Sequence, residues 1–449
     1  MNIWEVRKTE LYEHQRQALA KTDGMTHVAY YHDMGLGKTF TGSEKMMQLG
    51  AKVNLVVCQK SKIQDWVEHF KNYYPQFVYD LTDKKELQKF IEIHSDKRFP
   101  LNHDIIGIIN YDLVWRRKDL LKLKDFTLML DESSLIQNET SKRSSFILKM
   151  QPKNVILLSG TPTGGKYEKL WSQLHLLGWS ISKKLYWKQY VETEVIDNEG
   201  YPIVVVRGYK NVDRLKRKMR QYGCDFLKTE EVIDLPEQID QSIWIPTSKE
   251  YRKFRKDSIV LVENPGWDVS YWADDKVEVE VARELVGDTT LTKMLYERQL
   301  CGQYNKDKLA AFRDLLESTE DRLIVFYNFT EEWKQMGPIC DELGRPSCVI
   351  NGTFKNLNAY ENKSNSITFV QYQAGAMGLN LQKANKVIYF TPPLSSELFE
   401  QSKKRIHRIG QQKPCFYYYL TCSNSIEEKI YRTLAMRRDY TEALFEEGE

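Results

Sequence analysis

The chain has 449 residues, of which 41% are hydrophobic and 28% charged, and its net charge is +3. This length exceeds the usual limit for one hydrophobic core, so two or three domains are expected, and the composition excludes a disordered chain. No apolar run is long enough to span a bilayer, and the amino-terminal residues lack the apolar core of a signal peptide, which predicts a cytoplasmic protein. The seven cysteines are scattered without a C-x-x-C pair, which predicts free thiols and no zinc site.

The first third of the chain alternates short apolar runs with amphipathic segments. The apolar runs are typical of buried parallel strands, and they cover residues 53–58, 104–110, 126–132 and 154–160. Each is flanked by polar stretches with a helical period, such as DWVEHFKNYY. This alternation predicts an α/β domain built on a parallel sheet.

The alternation stops near residue 165 and resumes after residue 290. The residues between predict helices over 166–190 and 208–222, interrupted by the strand-like VVVRGY. Four further strands are predicted at residues 322–328, 347–352, 366–372 and 385–391. The predicted fold is α/β, with two parallel-sheet lobes at 1–165 and 291–449 and a mostly helical insertion at 166–290.

The stretch YHDMGLGKT at 31–39 ends like a phosphate-binding loop. Gly35 and Gly37 allow the backbone to curl so that several amides point at one anion, and the following helix adds its positive end. Lys38 would neutralise the β- and γ-phosphates, and the Thr39 hydroxyl would bind Mg²⁺. Because His32 stands where the general pattern has glycine, other features must decide whether this is a nucleotide site.

An acidic pair follows the predicted strand FTLML. Asp131 and Glu132 lie at the carboxyl end of that strand, where ligands bind in open parallel sheets. Alone, such a pair is more typical of a helix N-cap. Combined with the glycine loop, it predicts that Asp131 anchors Mg²⁺ through water and that Glu132 orients and deprotonates the attacking water. The expected site therefore binds and hydrolyses a nucleotide.

The run DMGLGKT resembles motif I of the Swi/Snf-like branch of helicase superfamily two, in which the first glycine of the loop is routinely absent. Further stretches are similar to that family's motifs and follow in its order: LYEHQ at 11–15, VVCQKSKIQDW at 56–66, IINYDL at 108–113, DESS at 131–134, LSGTPT at 158–163, CDFLKTEEVIDLPEQ at 224–238, VFYNFT at 325–330, YQAGAMGLNLQKANKVIYF at 372–390 and EQSKKRIHRIGQQKP at 400–414. The resemblance covers nearly the whole chain. It implies two RecA-like lobes, ATP and Mg²⁺ as cofactors, and a minimal motor of the phage and bacterial type.

The resemblance also implies roles for particular residues. Catalytic roles fall on Lys38, Asp131, Glu132, Arg405 and Arg408, and Mg²⁺ would be held by Thr39 and Asp131. ATP-binding roles fall on Gln15, which would lie against the adenine, and on Met34, Gly35, Leu36, Gly37, Lys38, Thr39, Gly378 and Gln401. Arg405 and Arg408 are three residues apart, which predicts one face of a helix and two arginine fingers for the γ-phosphate.

Duplex DNA is the expected partner of such a motor, contacted mainly through its phosphates. The resemblance implies contacts from Lys60, Ser61, Asn110, Tyr111, Ala374, Gly375 and Gly378. The basic run at 207–220 adds Arg214 and Arg217 on a candidate DNA-facing helix, although a solvated helix face explains such a run equally well. The chain is expected to act as a monomer, away from membranes.

The leading functional hypothesis is an ATPase that is stimulated by duplex DNA and translocates along it without obligatory strand separation. A DNA or RNA helicase that unwinds duplexes stays open, as does a nucleic-acid-binding clamp that does not hydrolyse ATP. The clamp is disfavoured because the catalytic lysine, both carboxylates and both arginines are present together. Ser133 and Ser134 replace the Ala-His of the family's DEAH box, whose histidine typically couples hydrolysis to motif III, so this coupling is expected to differ here.

Overall fold

The structure is a computed structural model, and it describes residues 9–95, 104–198, 201–263, 282–375 and 379–445. The chain divides into two compact units, residues 1–233 with 437–449, and residues 234–436. This division falls within the segment 166–290 that the sequence predicts as an insertion. The limits predicted for that insertion stay a prediction.

The first unit contains a parallel sheet and a separate hairpin. Its strands are β1 (His27–His32), β2 (Val53–Cys58), β3 (Phe77–Asp80), β4 (Ile105–Asn110), β5 (Thr127–Asp131), β6 (Asn154–Leu158), β7 (Val191–Asn198), β8 (Tyr201–Tyr209) and β9 (Cys224–Leu227). Seven of them form a parallel sheet in the order β3-β4-β2-β5-β6-β1-β9. Strands β7 and β8 pair with each other in antiparallel fashion.

Helices connect these strands, as parallel pairing requires. They are α1 (Glu13–Lys21), α2 (Lys38–Leu49), α3 (Ile63–Tyr73), α4 (Lys84–Ser95), α5 (Tyr111–Val114), α6 (Lys142–Lys149), α7 (Trp171–Leu176), α8 (Lys183–Tyr190) and α9 (Val212–Gln221). Every residue of β2, β4 and β6 is buried, which is why these strands are apolar on both faces. The four strands predicted in this part of the chain are confirmed.

Strands β1 and β9 were not predicted from the sequence. Strand β1 has the composition HVAYYH, in which tyrosine and histidine replace the usual aliphatic residues, yet all but its first residue are buried. Strand β9 lies at the edge of the sheet beside β1, far from it in sequence. The sheet therefore extends past residue 165, into the segment predicted as an insertion.

The second unit is built on another parallel sheet. Its strands are β10 (Gln238–Ile245), β11 (Ile259–Glu263), β12 (Ala282–Val286), β13 (Leu323–Tyr327), β14 (Ser347–Ile350), β15 (Ile367–Gln371), β16 (Lys386–Tyr389) and β17 (Cys415–Cys422). Six of them form a parallel sheet in the order β10-β17-β16-β13-β15-β14, and β11 pairs with β12 in antiparallel fashion. The four strands predicted after residue 290 are confirmed.

The helices of this unit begin after β10, the first strand of its sheet in chain order. They are α10 (Lys249–Asp257), α11 (Thr290–Cys301), α12 (Lys306–Glu317), α13 (Thr330–Glu342), α14 (Asn358–Asn362), α15 (Tyr372–Gly375), α16 (Ser396–Lys403) and α17 (Ile426–Phe445), and the division between the units falls within α17. The predicted fold class, two α/β lobes on parallel sheets, is confirmed. The segment 166–290 contributes helices α7 to α10, together with the two antiparallel hairpins.

Candidate functional site

Three loops of the first unit begin at the same edge of its sheet. Strand β6 lies between β5 and β1, and its last residue, Leu158, is paired with both Asp131 and Tyr30. The carboxyl ends of these strands are therefore level with one another. The glycine loop that follows β1, the acidic pair at the end of β5 and the SGTPT stretch that follows β6 start from one place, where open parallel sheets bind their ligands.

The glycine loop has the backbone conformation that a phosphate cradle requires. Gly35 has a φ of 89° and Gly37 a φ of 71°, and residues other than glycine rarely adopt such backbone angles. A Cβ on Gly37 would also collide with the amide nitrogen of Gln15. Helix α2 begins at Lys38, and Thr39 lies in its first turn. The loop thus ends at the amino terminus of a 12-residue helix, where an anion is favoured.

Lys38 is held at the base of this loop by backbone oxygens. Its Nζ donates to the carbonyl of His32 at 2.7 Å and to the carbonyl of Asp33 at 3.0 Å. A Cβ on Gly160, in the SGTPT stretch, would lie 3.6 Å from the same ammonium. The charge of Lys38 is therefore placed between the glycine loop and the loop after β6.

Helix α1 holds the loop from one side. The ring Nε2 of His14 lies 2.9 Å from the carbonyl oxygen of Leu36, and Nε2 of Gln15 donates to the carbonyl of Gly37 at 3.0 Å. The other end of the Gln15 amide accepts from the backbone N–H of Tyr12 at 2.8 Å. The structure thus places Gln15, for which adenine contact is predicted, against the backbone of the phosphate loop.

Strand β9 and the turn after it hold the loop from the other side. His32 is fully buried, and its Nε2 lies 2.8 Å from Oδ2 of Asp225 on β9. A carboxylate can only accept, so Nε2 carries the proton. Burial lowers the pKa of His32 despite this carboxylate, so the ring is neutral. Asp33 Oδ2 accepts from the backbone N–H and the hydroxyl of Thr229, at 3.2 and 3.1 Å.

His32 therefore has a defined role in the structure, although the sequence left it unassigned. Its side chain is fixed by Asp225, and its carbonyl holds Lys38. Burial opposes ionisation of Asp225, but the hydrogen bond from His32 and the ammonium of Lys21 hold the pKa of this carboxyl below its usual value. The side chain that replaces the first glycine of the general pattern thus anchors the loop to β9.

The acidic pair has an indole and a strained backbone beside it. Trp66, in the VVCQKSKIQDW stretch, donates from Nε1 to Oδ2 of Asp131 at 2.8 Å. Desolvation raises the pKa of Asp131, and the bond from Trp66 and the charge of Lys38 oppose that rise. Glu132 has φ 53° and ψ 60°, a left-handed conformation that is uncommon outside glycine. The hydroxyl of Tyr111 donates to the carbonyl of Asp131 at 2.9 Å.

This part of the site fits ATP and Mg²⁺ by its own chemistry. The cradle requires glycine at Gly37, its cation is an ammonium that donates to two loop carbonyls, and a carboxylate and a hydroxyl are available for a hard divalent ion. The hydroxyl of Thr161, in SGTPT, is buried and has no hydrogen-bond partner among the described residues. A polar atom of that kind is normally satisfied by a ligand or water.

The second unit carries the EQSKKRIHRIGQQKP stretch, and there one structural expectation is wrong. Arg405 and Arg408 were predicted on one helical face, but α16 ends at Lys403 and both arginines lie in the turns that follow. The helix thus ends two residues before Arg405, whose carbonyl accepts from the backbone N–H of Leu381 at 3.1 Å.

The side chains of this stretch are nonetheless ordered by local contacts. Arg405 is buried, Arg408 donates to the side-chain oxygen of Asn380, and desolvation lowers the pKa of Arg408. Gln401 lies buried within α16. Gln411 donates to the carbonyls of Gln382, Ala384 and Ile406, which ties this turn to the stretch after α15.

The residues predicted to contact nucleic acid differ in exposure. Lys60 and Ser61 are exposed in a 3₁₀ turn just after β2. Asn110 and Tyr111 are buried, and the Tyr111 hydroxyl is engaged by the backbone beside Glu132. The remaining candidates are Ala374 and Gly375 in α15, Arg214 and Arg217, which are exposed on α9, and Gly378, which lies outside the described residues.

Sequence reasoning missed four side chains that hold this site together. Trp66, Asp225 and Thr229 lie inside stretches that had been recognised as motifs, but nothing local showed what they bind. The fourth is Gln173, in α7, which hydrogen-bonds to the residue after Glu132 and which no motif marked. No helix among the described residues is long and apolar enough to cross a membrane.

Comparison with known proteins assigns both units to one family. The model of the SNF2-related domain matches residues 28–306, and the model of the helicase conserved C-terminal domain matches residues 307–410. The chain is similar to human SWI/SNF-related matrix-associated actin-dependent regulator of chromatin subfamily A member 1, with 24% identity over 89% of this chain and 40% of that protein. It is also similar to the putative ATP-dependent helicase/translocase YwqA of Bacillus subtilis, with 23% identity over 89% of this chain and 44% of that protein.

The chain thus spans less than half the length of these curated relatives. A solved structure described as the Sulfolobus solfataricus SWI2/SNF2 ATPase core in complex with dsDNA is also similar, at 19% identity over 98% of this chain and 93% of that chain, with a TM-score of 0.41. The family models alone cover most of the sequence. The chain belongs to the SNF2-related family, a Swi/Snf-like branch of the helicase-like ATP hydrolases of superfamily two.

Proposed function

We propose that this chain is a motor that hydrolyses ATP when it is bound to duplex DNA and that moves along the duplex without obligatory strand separation. The observation that carries the proposal is the placement of Lys38. Its ammonium lies at a glycine loop with positive φ angles, beside a carboxylate pair at the end of β5, and neutral carbonyls hold it. A phosphate bound in this loop would meet both this ammonium and the amino terminus of α2.

Each residue of the loop has a proposed task toward the nucleotide. Bound ATP and Mg²⁺ would supply the phosphoanhydride bond and the charge that polarises it. Lys38 neutralises the β- and γ-phosphates, the backbone amides after Gly35 donate to them, and Thr39 and Asp131 hold the metal. Met34 and Leu36 contribute to the same cradle through their backbone.

Glu132 is the proposed residue that orients and deprotonates the attacking water. Its backbone is in the left-handed conformation, and strained residues of this kind are concentrated in active sites. In a relaxed backbone conformation the side chain of Glu132 would have a different direction. Gln15 supports the phosphate loop in addition to its proposed contact with adenine. Burial raises the pKa of Asp131, and only the ionised carboxylate binds Mg²⁺, so metal binding is expected to weaken on acidification.

The second unit is proposed to supply Arg405 and Arg408 as arginine fingers, with Gln401 and Gly378 as further nucleotide contacts. Because Arg408 donates to a neutral side-chain amide, it can change partner without stranding a carboxylate. Replacing Arg408 with alanine is expected to lower DNA-stimulated ATP turnover about 1000-fold while nucleotide binding persists. Unchanged stimulated turnover would remove Arg408 from the site.

DNA contact is proposed at Lys60 and Ser61, at the segment from Asn110 to Tyr111, at Ala374, Gly375 and Gly378, and at the basic face of α9. Arg214 and Arg217 are exposed on that helix, whereas Leu215 and Met219 are buried on its opposite face. Reversing both arginines to glutamate should reduce the slope of log K against log salt by about 1 to 2. Reversing the exposed Lys84 and Lys85 of α4 is the matched control, and an equal change there would remove α9 from the proposed surface.

An unwinding helicase is the second candidate, because the Bacillus subtilis relative is named a putative ATP-dependent helicase/translocase. The two are separated by assays on the same protein preparation. ATP turnover is measured without polymer and with single-stranded DNA, duplex DNA or RNA, alongside strand displacement and triplex displacement. The motor proposal expects stimulation by duplex DNA and triplex displacement without strand separation.

The Glu132→Gln variant is the control in those assays, since it retains size and hydrogen bonding but cannot take a proton. Strand separation by the wild type and not by this variant would establish the helicase instead. Stimulation by RNA alone would overturn the DNA proposal. No turnover under any condition, with nucleic acid still bound, would establish a non-hydrolysing clamp.

A further inference from the structure

Gln173 in α7 is a fully buried side chain that hydrogen-bonds to three different parts of the first unit. Its Oε1 accepts from the hydroxyl of Ser133 at 2.7 Å and from the hydroxyl of Tyr31 at 3.0 Å. Its Nε2 donates to the carbonyl of Pro162 at 2.7 Å. One amide thus joins β1, the residue after Glu132 and the SGTPT stretch.

The chemistry of these partners fixes the orientation of the amide. The carbonyl of Pro162 can only accept, so the NH₂ group must face it, and the oxygen must face the two hydroxyls. Ser133, Tyr31 and Gln173 are each fully buried, so water does not compete for these bonds. A satisfied buried network of this kind is rigid, and each member restricts the others.

The bond to Ser133 lies directly beside the strained residue of the site. Glu132 has a left-handed backbone that costs free energy and persists only where its surroundings enforce it. On the amino-terminal side, the hydroxyl of Tyr111 donates to the carbonyl of Asp131. On the carboxyl-terminal side, Ser133 donates to Gln173. The turn that carries Glu132 is therefore fixed from both ends by buried hydrogen bonds.

We propose that Gln173 is a positioning residue that holds the Glu132 turn in its left-handed conformation and couples it to the SGTPT stretch after β6. In this chain serines occupy the last two places of the DEAH-like box, and the link between the two loops runs through a glutamine from α7. The inference rests on the proposed ATP hydrolysis for its effect on rate. Its structural part stands on the hydrogen bonds alone.

The decisive comparison uses two serines that each make one buried hydrogen bond. Ser133→Ala removes the bond to Gln173, and Ser172→Ala removes a 2.8 Å bond from the neighbouring residue of α7 to the carbonyl of Ile136. The two variants should lose similar thermal stability. Only Ser133→Ala should lower the DNA-stimulated kcat, by about tenfold, with the KM for ATP and the stoichiometry of nucleotide binding unchanged.

Gln173→Met, which keeps the length of the side chain but removes both polar atoms, tests the other partner. Its kcat should fall by at least as much as that of Ser133→Ala, and adding Ser133→Ala to it should cause no further loss, because the bond that Ser133→Ala removes is already absent in Gln173→Met. Hydrogen–deuterium exchange should quicken over residues 131–134 and 159–165 in Ser133→Ala, whereas in Ser172→Ala, which loses a bond to the carbonyl of Ile136, any increase should be confined to residues after 135.

Equal kcat values for the two serine variants, or unchanged exchange in Ser133→Ala, would overturn the proposal. The exchange measurement does not depend on catalysis, so it decides the structural claim even if the wild type hydrolyses no ATP. A wild type without turnover would contradict the proposed function and not the role of Gln173. Should Gln173→Met fail to fold, the serine pair decides alone.

Discussion

The ammonium groups of Lys38 and Lys308 have partners of different kinds in the two units. In the first unit, Lys38 is partly exposed and donates to two backbone carbonyls. In the second, Lys308 is fully buried and donates to both carboxylate oxygens of Glu427, at 2.7 and 2.8 Å. Both lysines lie in the first turn of their helices, α2 and α12, so position along the helix does not separate them.

The difference distinguishes a cation that is ready for a ligand from one that belongs to the core. A carbonyl is neutral, so an ammonium can leave it for a phosphate without stranding a charge. Burial lowers and Glu427 raises the pKa of Lys308, and the net direction is upward, which keeps this ammonium charged. Removing either member of such a pair leaves an uncompensated buried charge. Cys301, Cys422 and Glu427 lie close enough to bind a metal, but this ammonium already neutralises the carboxylate.

The largest expected effect is on ATP turnover when Lys38 is replaced by methionine. Turnover should fall about 100-fold or more, because the side chain that neutralises the phosphates is lost. The free energy of unfolding should change by only about 1 kcal/mol, since two bonds to loop carbonyls are removed. Steady-state ATPase kinetics and urea denaturation measure the two quantities.

Lys45→Met is the control for that variant. Lys45 belongs to the same helix and donates to the backbone carbonyl of Thr22, but it is buried away from the glycine loop. Its replacement should leave turnover unchanged in the folded fraction. A similar loss of turnover in both variants would mean that α2, and not the charge of Lys38, is what the site needs.

Lys308→Met should have the largest effect on stability. It leaves the Glu427 carboxylate buried without its cation, and the expected loss in the free energy of unfolding is about 3–5 kcal/mol. Equilibrium denaturation followed by circular dichroism measures it. The control is Lys334→Met, which breaks an exposed pair with Glu331 and should cost less than about 1 kcal/mol. Equal losses would contradict the distinction between the two kinds of lysine.

A smaller effect is expected at Glu332, a buried carboxyl without a full set of partners. Its Oε2 accepts from the backbone N–H groups of Asn328 and Phe329, while Oε1 has no partner among the described residues. Burial raises the pKa of Glu332 to about 7. The folded state therefore binds a proton that the unfolded state has released, and stability falls as pH rises from about 4.5 toward 7.

Glu332→Gln should remove this dependence. Relative to the wild type, the free energy of unfolding of the variant should rise by roughly 2 kcal/mol between pH 5 and pH 8. Denaturant titrations at several pH values measure the difference, and Glu331→Gln, at the exposed neighbour, is the control. A difference that does not change with pH would show that Glu332 is ionised throughout this range.

Much of the fold followed from the sequence because apolar runs of strand length report burial on both faces of a parallel sheet. Strands β2, β4, β5 and β6 were predicted for this reason and confirmed. Strand β1 was not predicted because its tyrosines and His32 do not form an aliphatic run, although the tertiary structure buries them. The helix expected at Arg405 and Arg408 was wrong, since α16 ends at Lys403 and the carbonyl of Arg405 bonds to the distant backbone N–H of Leu381.

The sequence by itself determined the chemical inventory of the site: two glycines before a lysine and a threonine, and two carboxylates after an apolar strand. These residues are recognised from residue types within a few positions of one another, and a local sequence pattern contains that information. The tertiary structure alone decided what holds that inventory in place. Asp225 reaches His32 across 193 positions and Gln173 reaches Ser133 across 40, because strand order brings them together. No local pattern encodes such pairs, since each partner is chosen by which strands and helices become neighbours.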